Sequence, residues 1–272
     1  MKIIDIHTHV FPDAIADKTI AALSERAGSR AHANGKLDGL LESMDRAGIT
    51  CSVIAPVVTA PKQFESINRF AHEINERYGS CLHDGLPRLI SLGGIHPDSE
   101  DYKAQLDTIK SMGFKGIKLH PDYQGAFFND IRYKRIISYA TELDLMILVH
   151  AGVDIGLPEP VHCTPTMALE VIKETECKKL ILAHFGGFRL WDEVEELLAA
   201  RDVYMDMSFI AGYIDEEQFI RIVRKHGSNK ILFGSDSPWA GQKETSDWLK
   251  SIPLTDEEKI NILWNNANNI LT

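Results

Sequence analysis

The sequence predicts an α/β protein built as a (β/α)8 TIM barrel, a ring of eight parallel strands surrounded by helices. The first observation is a set of eight short apolar runs, rich in β-branched residues and bounded by polar residues, glycine or proline. The second is that segments with helical periodicity separate these runs. Alternation of strand and helix eight times within 272 residues is typical of this barrel.

The predicted strands are apolar on both faces, as parallel strands beneath a helical layer are. They span residues 2–6, 50–55, 88–93, 114–119, 145–149, 179–183, 203–207 and 230–234. No linker, low-complexity tract or change of composition divides the chain, so we expect residues 1–272 to form one barrel domain. The carboxyl ends of the strands then share one face, where barrel enzymes place their active sites.

Between the strands, apolar residues recur every three and four positions, which predicts helices packed on the outside of the barrel. These periodic segments span residues 37–47, 64–74, 106–112, 136–140, 167–172, 194–198, 219–223, 248–249 and 260–264. Two irregular segments also follow strand ends: residues 10–36, with a short helix near 14–26, and residues 151–165. We expect both segments to cover the active-site face.

Composition and charge restrict the partners of the protein. The chain is 44% hydrophobic and 25% charged, and its formal net charge is −10 at pH 7. This acidic surplus argues against nucleic acid or an anionic membrane as a partner, because both bind basic surfaces. No apolar run reaches the roughly 20 residues that cross a bilayer. The expected partner is therefore a small-molecule substrate.

The cysteine pattern indicates the compartment. Cys51, Cys81, Cys163 and Cys177 are scattered and form no Cys-x-x-Cys pair, which favours reduced thiols over a disulfide framework. Strand-like sequence begins at Lys2, so we expect no secretory signal. Together these features predict a cytoplasmic location.

Side chains that commonly bind metals stand at the ends of several predicted strands. His7 and His9 end the first strand and, being two residues apart, point to the same side. His150, His184 and Asp236 end the fifth, sixth and eighth strands. Because a barrel gathers its strand ends at one place, these residues predict a metal site. Imidazole and carboxylate ligands suit zinc, iron or manganese.

The same residues lie in motifs that resemble those of the amidohydrolase superfamily. The motifs are DIHTHVFP at 5–12, HAG at 150–152, AHFGG at 183–187 and GSDSPW at 234–239. The first resembles the HxHxxP motif of the amidohydrolase-related branch, which includes aminocarboxymuconate semialdehyde decarboxylase and γ-resorcylate decarboxylase. The resemblance covers essentially the whole chain, with the motifs in the expected order.

This resemblance implies a barrel of the metallo-dependent hydrolase type with one divalent metal, usually zinc, for which manganese or iron could substitute. It implies that His7, His9, His150 and Asp236 bind the metal. His184 would position the reacting water or a substrate oxygen, and Asp236 would also act as general base. A divalent metal lowers the pKa of bound water to about 7, so a nucleophile is available at neutral pH.

Lys118 and His120 end the predicted fourth strand and share a face of it. In binuclear members of the superfamily a lysine on this strand is carbamylated and bridges two metals, so a binuclear site is an alternative to the favoured mononuclear one. Lys118 could instead bind a substrate carboxylate or pair with Asp236. His120 is a candidate for substrate contact, as is His96 after the third strand, or each could bond a loop carbonyl.

Further candidates lie in the loops. Asp154 and His162 belong to the segment after the fifth strand, where a lid, a specificity role or an ordinary surface loop are all open. Cys163 in the same segment is disfavoured as a nucleophile, since no base is assigned to it. The remaining candidates are three arginines that could hold a substrate carboxylate and two tryptophans that could serve a homodimer interface: Arg30, Arg132, Arg189, Trp239 and Trp248.

The leading functional prediction is an enzyme, a metal-dependent hydrolase in which metal-activated water attacks an amide, ester or lactone carbon. The alternative is a non-oxidative, metal-dependent decarboxylase, a carboxy-lyase like aminocarboxymuconate semialdehyde decarboxylase. Against it, Ala55-Pro56-Val57-Val58 stands near the second strand, where such decarboxylases use an arginine. A barrel that keeps its metal but only binds a ligand is the weakest of the three.

Overall fold

Eight parallel strands form a ring in the computed structural model, which describes residues 2–79, 82–83 and 86–272. The strands are β1 (Ile4–Thr8), β2 (Cys51–Ile54), β3 (Leu89–Ser91, continued by Gly93–Gly94), β4 (Gly116–Leu119), β5 (Met146–Val149), β6 (Leu180–Leu182), β7 (Tyr204–Asp206) and β8 (Ile231–Leu232). Neighbours in this order pair in parallel from β1 to β8. Outside the ring, Leu82–His83 and Leu86–Pro87 form a short antiparallel pair.

The ring closes where β8 returns to β1. The Ile6 amide donates to the Phe233 carbonyl at 2.9 Å, and the Asp236 amide donates to the His7 carbonyl at 2.8 Å. A parallel bridge joins Thr8 to Ser237 just beyond the strand ends. The closure therefore places residues that follow β8 directly beside His7 and His9.

The barrel predicted from the sequence is confirmed. The observed strands begin and end within about two residues of a predicted run, and β1 continues through His7 to Thr8. In β5, Ile147 and Val149 pack among the helices, whereas Met146 and Leu148 belong to a second cluster of strand residues. The alternation explains why both faces of these strands are apolar.

The helices surround this ring in the order that the periodicity predicts. They are α1 (Asp13–Ala27), α2 (Leu37–Ala47), α3 (Phe64–Tyr78), α4 (Tyr102–Ser111), α5 (Pro121–Gln124), α6 (Ile131–Glu142), α7 (Pro165–Thr175), α8 (Trp191–Glu193), α9 (Glu216–His226), α10 (Gln242–Ser251), α11 (Asp256–Ile260) and α12 (Asn266–Leu271). Two π-helical turns, Val194–Leu198 and Asn261–Asn265, continue α8 and α11. None of the helices in the described part of the chain combines the length and apolar character that a membrane crossing needs.

The two irregular segments contain close contacts at the strand ends. The segment after β1 carries α1, which matches the short helix expected there. In the segment after β5, Gly152 has φ +86°, and a Cβ at this position would lie 2.0 Å from the Phe188 amide nitrogen. Only glycine fits so close an approach, which holds the start of this loop against the turn that follows β6.

Three cysteines are buried free thiols, as expected for reduced residues: Cys51, Cys163 and Cys177. Burial raises the pKa of the Cys163 thiol well above its usual value, so this residue is a poor nucleophile at neutral pH. Cys81 lies outside the described residues.

Candidate metal centre

His7 and His9, at the carboxyl end of β1, both direct Nε2 toward Asp236. The two Nε2 atoms are 3.2 Å apart, and Asp236 Oδ1 lies 3.0 Å from His9 Nε2 and 3.5 Å from His7 Nε2. Two ligands at about 2.0–2.1 Å from a tetrahedral zinc ion are roughly 3.3 Å apart. The spacing of these three atoms therefore fits one metal ion.

Contacts on the opposite ring nitrogens fix the tautomers of the two imidazoles. His9 Nδ1–H donates to the Ala55 carbonyl at 2.8 Å, and His7 Nδ1–H donates to Asp206 Oδ2 at 2.9 Å. A carbonyl or carboxylate oxygen can only accept, so each neutral ring carries its lone pair on Nε2. Three acceptor atoms then face one another, and a cation at their centre would stabilise that arrangement.

Asp206, at the end of β7, was not predicted from the sequence. Its carboxylate is buried and also accepts from the backbone amides of His184 and Ser208, at 3.2 and 2.9 Å. Burial alone would raise the pKa of Asp206, but the interactions with His7, with the His184 ring and with the Ser208 hydroxyl outweigh it and hold that pKa well below its usual range. Asp206 is thus an ionised carboxylate that orients a candidate ligand from behind.

A second hydrogen-bond chain orients His150, which follows β5. His184 Nδ1–H donates to the Ser208 carbonyl at 3.0 Å, so His184 Nε2 accepts from His150 Nδ1–H, also at 3.0 Å. The lone pair of His150 is therefore on Nε2. That atom is buried without a hydrogen-bond partner, as is Asp122 Oδ2, which lies 4.0 Å away. Two buried acceptors facing each other are costly unless a cation lies nearby.

These observations test whether the residues fit a divalent metal, and they do. Each of the four predicted ligands, His7, His9, His150 and Asp236, presents an unprotonated atom. Burial opposes ionisation of Asp236, but the neighbouring imidazoles lower its pKa to about 2. Of these four, His7, His9 and Asp236 converge closely, whereas His150 forms a separate group with His120 and Asp154. The assignment of His150 to the same ion stays a prediction.

His120 and Asp154 lie close together beside His150. His120 Nδ1 accepts the Tyr123 backbone amide at 3.3 Å, which places the proton on Nε2, 3.4 Å from Asp154 Oδ2. A protonated Nε2 cannot bind a metal, so His120 serves better as a donor than as a ligand. Its ring stacks on His150 at 4.1 Å between centroids, with 8° between the planes.

Lys118 lies on β4 with its side chain fully buried at the strand ends. Its neighbours Ile117 and Leu119 pack among the helices, so Lys118 points inward as the alternation predicts. Its Nζ is 2.9 Å from His7 Nε2. Burial lowers the pKa of Lys118 to about 8, although Asp206 and Asp236 favour its charged form.

Two candidate residues occupy strained backbone conformations. His184 has φ +56° and Asp236 has φ +70°, both in the left-handed region that residues other than glycine seldom adopt. Such strain persists only where the surroundings hold it, and it concentrates at functional sites. Here the amides of the two residues bond to Asp206 and to the His7 carbonyl.

A cavity of about 580 Å³ opens over these residues. Its polar floor consists of His7, His9, Lys118, His120, His150, Asp154, His184 and Asp236. Its apolar wall includes Phe11, Ile15, Leu23, Ile67, Phe70 and Trp239. The cavity thus joins one cluster of ionisable groups to a largely apolar space.

The other sequence-based candidates lie elsewhere or only near the cavity. His96 Nδ1 accepts from the Asp98 amide at 3.1 Å, a bond within its own loop. Arg132 pairs with Asp98 and Asp130, and Arg189 lies over the rings of Phe188 and Tyr213. Arg30 does not line the cavity among the described residues, and Trp248 packs against Phe219. His162 Nδ1–H donates to Asp122 Oδ1 at 3.0 Å.

Solved structures have the same fold at low sequence identity. An uncharacterised TIM-barrel protein from Bordetella bronchiseptica has a TM-score of 0.78 at 16% identity, covering 100% of this chain and 98% of its own. A dihydroxybenzoic acid decarboxylase from Polaromonas sp. JS666, with bound manganese and 2-nitroresorcinol, has a TM-score of 0.70 at 16% identity. This match covers 99% of the present chain and 96% of the decarboxylase. A Pseudomonas putida protein provisionally described as a 2-pyrone-4,6-dicarboxylic acid hydrolase has a TM-score of 0.68 at 15% identity. This match covers 99% of the present chain and 97% of that protein.

A comparison with curated proteins found no match. A family model described as amidohydrolase matches residues 4–271, which include every residue of the polar floor. With its barrel and its set of histidines and aspartates at the strand ends, the chain belongs to the amidohydrolase family, whose solved relatives include both decarboxylases and a hydrolase.

Proposed function

We propose that this protein is a metal-dependent hydrolase that directs water at the carbonyl carbon of an amide, ester or lactone. The observation that carries the proposal is the Asp236 carboxylate, which is ionised and held beside the imidazoles of His7 and His9. A carboxylate in this position can accept a proton from water and return it to the leaving group. A bound divalent metal supplies Lewis acidity and a nucleophile at neutral pH.

The residues of the polar floor then divide into roles. His7, His9, His150 and Asp236 hold the metal, for which we propose zinc or manganese. His184 keeps His150 in the required tautomer through its own bond to Ser208. His120 Nε2–H and the Lys118 ammonium are donors at the cavity floor, suited to the negative charge that develops on a carbonyl oxygen.

The region after β2 favours hydrolysis over decarboxylation. Ala55, Pro56 and Val57 line the cavity there, and Lys118 is the only lysine or arginine among the described residues that line it. A substrate carboxylate buried in this cavity would need a cationic partner. Lys118 already lies against His7, which leaves the space better suited to a neutral carbonyl.

Decarboxylation is the second candidate, and one specific observation favours it. The Lys118 ammonium sits at the floor of the cavity, where together with a metal it could pair with a substrate carboxylate. The decarboxylases among the solved relatives have the same fold. In that case a protonated group of the floor would deliver a proton to carbon.

A parallel assay separates the two reactions. Protein loaded with zinc or manganese is offered neutral esters, lactones and N-acyl compounds, with acid release recorded, and dihydroxybenzoates, with carbon dioxide recorded. We expect acid release only, lost in the variants His7→Ala and Asp236→Asn while the circular dichroism of the barrel is retained. Carbon dioxide release without hydrolysis would replace the first proposal by the second.

A further inference from the structure

The polar floor occupies only one end of the cavity. Its members contact one another directly: Asp236 touches both imidazoles of β1, and His150 touches His184 and stacks on His120. All of them except Asp154 belong to strands or to the first few residues after a strand. The reacting carbonyl of a substrate must therefore lie at this end, and the rest of the substrate must extend away from it.

The space beyond the floor is bounded by two helices that carry apolar side chains. Ile15 and Leu23 of α1 line it on one side, and Ile67 and Phe70 of α3 line it on the other. Trp239, which follows β8, completes the wall. Among the described residues, the wall formed by α1 and α3 contributes no lysine or arginine to this lining.

The polar side chains near α3 are already bonded within their own turn. Thr59 Oγ1 donates to Gln63 Oε1 at 3.0 Å, and the Thr59 and Ala60 amides donate to the same oxygen. Ser66 Oγ donates to the Gln63 carbonyl at 3.1 Å. A charged group on the substrate would meet hydroxyls whose protons are already donated and apolar surface, which makes its burial costly.

Ile15 leaves apolar surface uncovered at the mouth of the same space. Its side chain is 50% exposed although it lines the cavity. A bound apolar group that reached α1 would cover this surface and gain the free energy of its burial. The cavity volume of about 580 Å³ is in the range of about 300–1,000 Å³ that accepts drug-sized ligands.

We propose that the substrate carries a bulky, uncharged apolar group, an aliphatic or aryl acyl arm, that lies between α1 and α3 while its carbonyl rests on the polar floor. This inference rests on the proposed hydrolase function, which it extends by naming the class of substrate. A substrate with a second charged group would pay a desolvation cost at the same wall, and a short substrate would not gain the free energy of covering it.

Binding can be measured by rapid mixing, before any turnover of the probe, so that the two proposals are tested separately. The probes are the primary amides butanamide, hexanamide and octanamide, with a terminal carboxylate on an octanamide as the charged control. The readout is the fluorescence of Trp239, identified by its loss in Trp239→Phe. We expect affinity to rise by up to about fourfold per methylene, the equivalent of about 0.8 kcal/mol, and the terminal charge to abolish the gain.

Two matched variants locate the arm. Ile15→Glu should weaken octanamide binding at least tenfold, because it places a charge in the apolar wall. Ile131→Glu makes the same substitution at an isoleucine that is 71% exposed and lies outside the cavity lining, and it should leave the affinity unchanged. Affinity that does not depend on chain length, or equal effects of the two variants, would overturn the inference.

Esters of the same acids test the hydrolase function in parallel. Length-dependent binding without hydrolysis would keep the apolar site and reject the reaction. Hydrolysis at one rate from acetyl to octanoyl esters would keep the reaction and reject the apolar arm.

Discussion

At the scale of single residues, the metal-facing atoms depend on contacts behind the rings. His7 presents Nε2 to the site because Asp206 accepts from its Nδ1–H, and His150 does so because the chain through His184 ends on the Ser208 carbonyl. A neutral imidazole has one proton to place. A substitution of the group that accepts from Nδ1–H can therefore move the ring proton to Nε2 and remove the lone pair that would bind the metal.

Asp206→Asn is expected to lower metal affinity by about 10–100-fold, the usual effect of losing such a supporting carboxylate. An asparagine at this position has one acceptor oxygen, whereas the native carboxylate offers two acceptor oxygens to the surrounding donors. The NH2 group of the asparagine must therefore face His7 Nδ1–H or a backbone N–H. The measurement is competition with a chromophoric chelator for zinc. Ser111→Ala, whose exposed hydroxyl bonds within α4, is the control and should not change the affinity. Unchanged affinity in Asp206→Asn would contradict the role given to this carboxylate.

Lys118→Met distinguishes one metal from two. The substitution keeps an unbranched stem but removes the amine 2.9 Å from His7 Nε2. For a mononuclear site we expect about one equivalent of metal by elemental analysis, before and after the substitution. Two equivalents in the native protein that fall in Lys118→Met would instead indicate a carbamylated lysine bridging a binuclear centre.

At the scale of elements, a buried histidine joins the end of α9 to the segment before β7, and its protonation makes this contact depend on pH. His226, in its last turn, accepts the Ala200 amide on Nδ1 at 3.2 Å and donates from Nε2 to the Val203 carbonyl at 2.9 Å. The bond accepted on Nδ1 requires the neutral ring, because both nitrogens of a protonated ring are donors. Burial lowers the pKa of His226 below its usual value, so the folded protein binds this proton less readily than the unfolded chain does.

The lowered pKa of His226 makes the folded protein less stable at acidic pH. Below about pH 6.5 the unfolded chain takes up a proton that folded His226 resists, so stability falls as the pH decreases, by at most about 1.4 kcal/mol per pH unit for one group. Urea denaturation at pH 7.5 and 5.5 should show a smaller loss for His226→Gln than for the native protein. Equal losses in the two proteins would show that His226 does not contribute.

At the scale of the whole molecule, one buried carboxylate ties the closure of the ring together. Asp5 of β1 accepts from the Ser235 amide at 2.9 Å, from its hydroxyl at 2.6 Å and from Gln242 Nε2 at 2.8 Å. The same Gln242 group lies 3.1 Å from Ser52 Oγ on β2. Two strands, the loop after β8 and α10 thus meet at one side chain.

Asp5→Ala should lower the free energy of unfolding by at least about 3 kcal/mol, since each buried donor left unpaired costs about 1–3 kcal/mol. The measurement is chemical denaturation in the presence of a chelator, so that metal binding does not contribute. Asp247→Ala removes an exposed carboxylate of α10 that pairs with Lys243, and it should cost less than about 1 kcal/mol. A similar cost for both variants would rule out the closure as the cause.

More of the fold than of the site could be predicted from the sequence. Each strand is a local apolar run, and α2 spans the residues that its periodicity indicates. A short continuous apolar run indicates a strand that is buried on both faces, and a helical periodicity indicates a helix that is buried on one face. The short α5 was missed because four residues show no periodicity.

In the site, only residues within a motif or at a strand end could be found. Asp206 stands between two methionines in an apolar run, and no spacing relates it to His7, which it contacts across the barrel. Asp122 is the second residue of the short helix α5, and the position of this helix brings its carboxylate within 4.0 Å of His150 Nε2. These contacts arise from tertiary packing, which local sequence does not encode.

The position of the closure bears on when a metal could bind. His7 lies on the first strand of the ring along the chain and His9 follows that strand, whereas Asp236 follows the last strand. The proposed donor set therefore stays incomplete until β8 has docked beside β1. Loading would then be coupled to this docking, and a bound ion would fasten the first and last strands of the ring to each other.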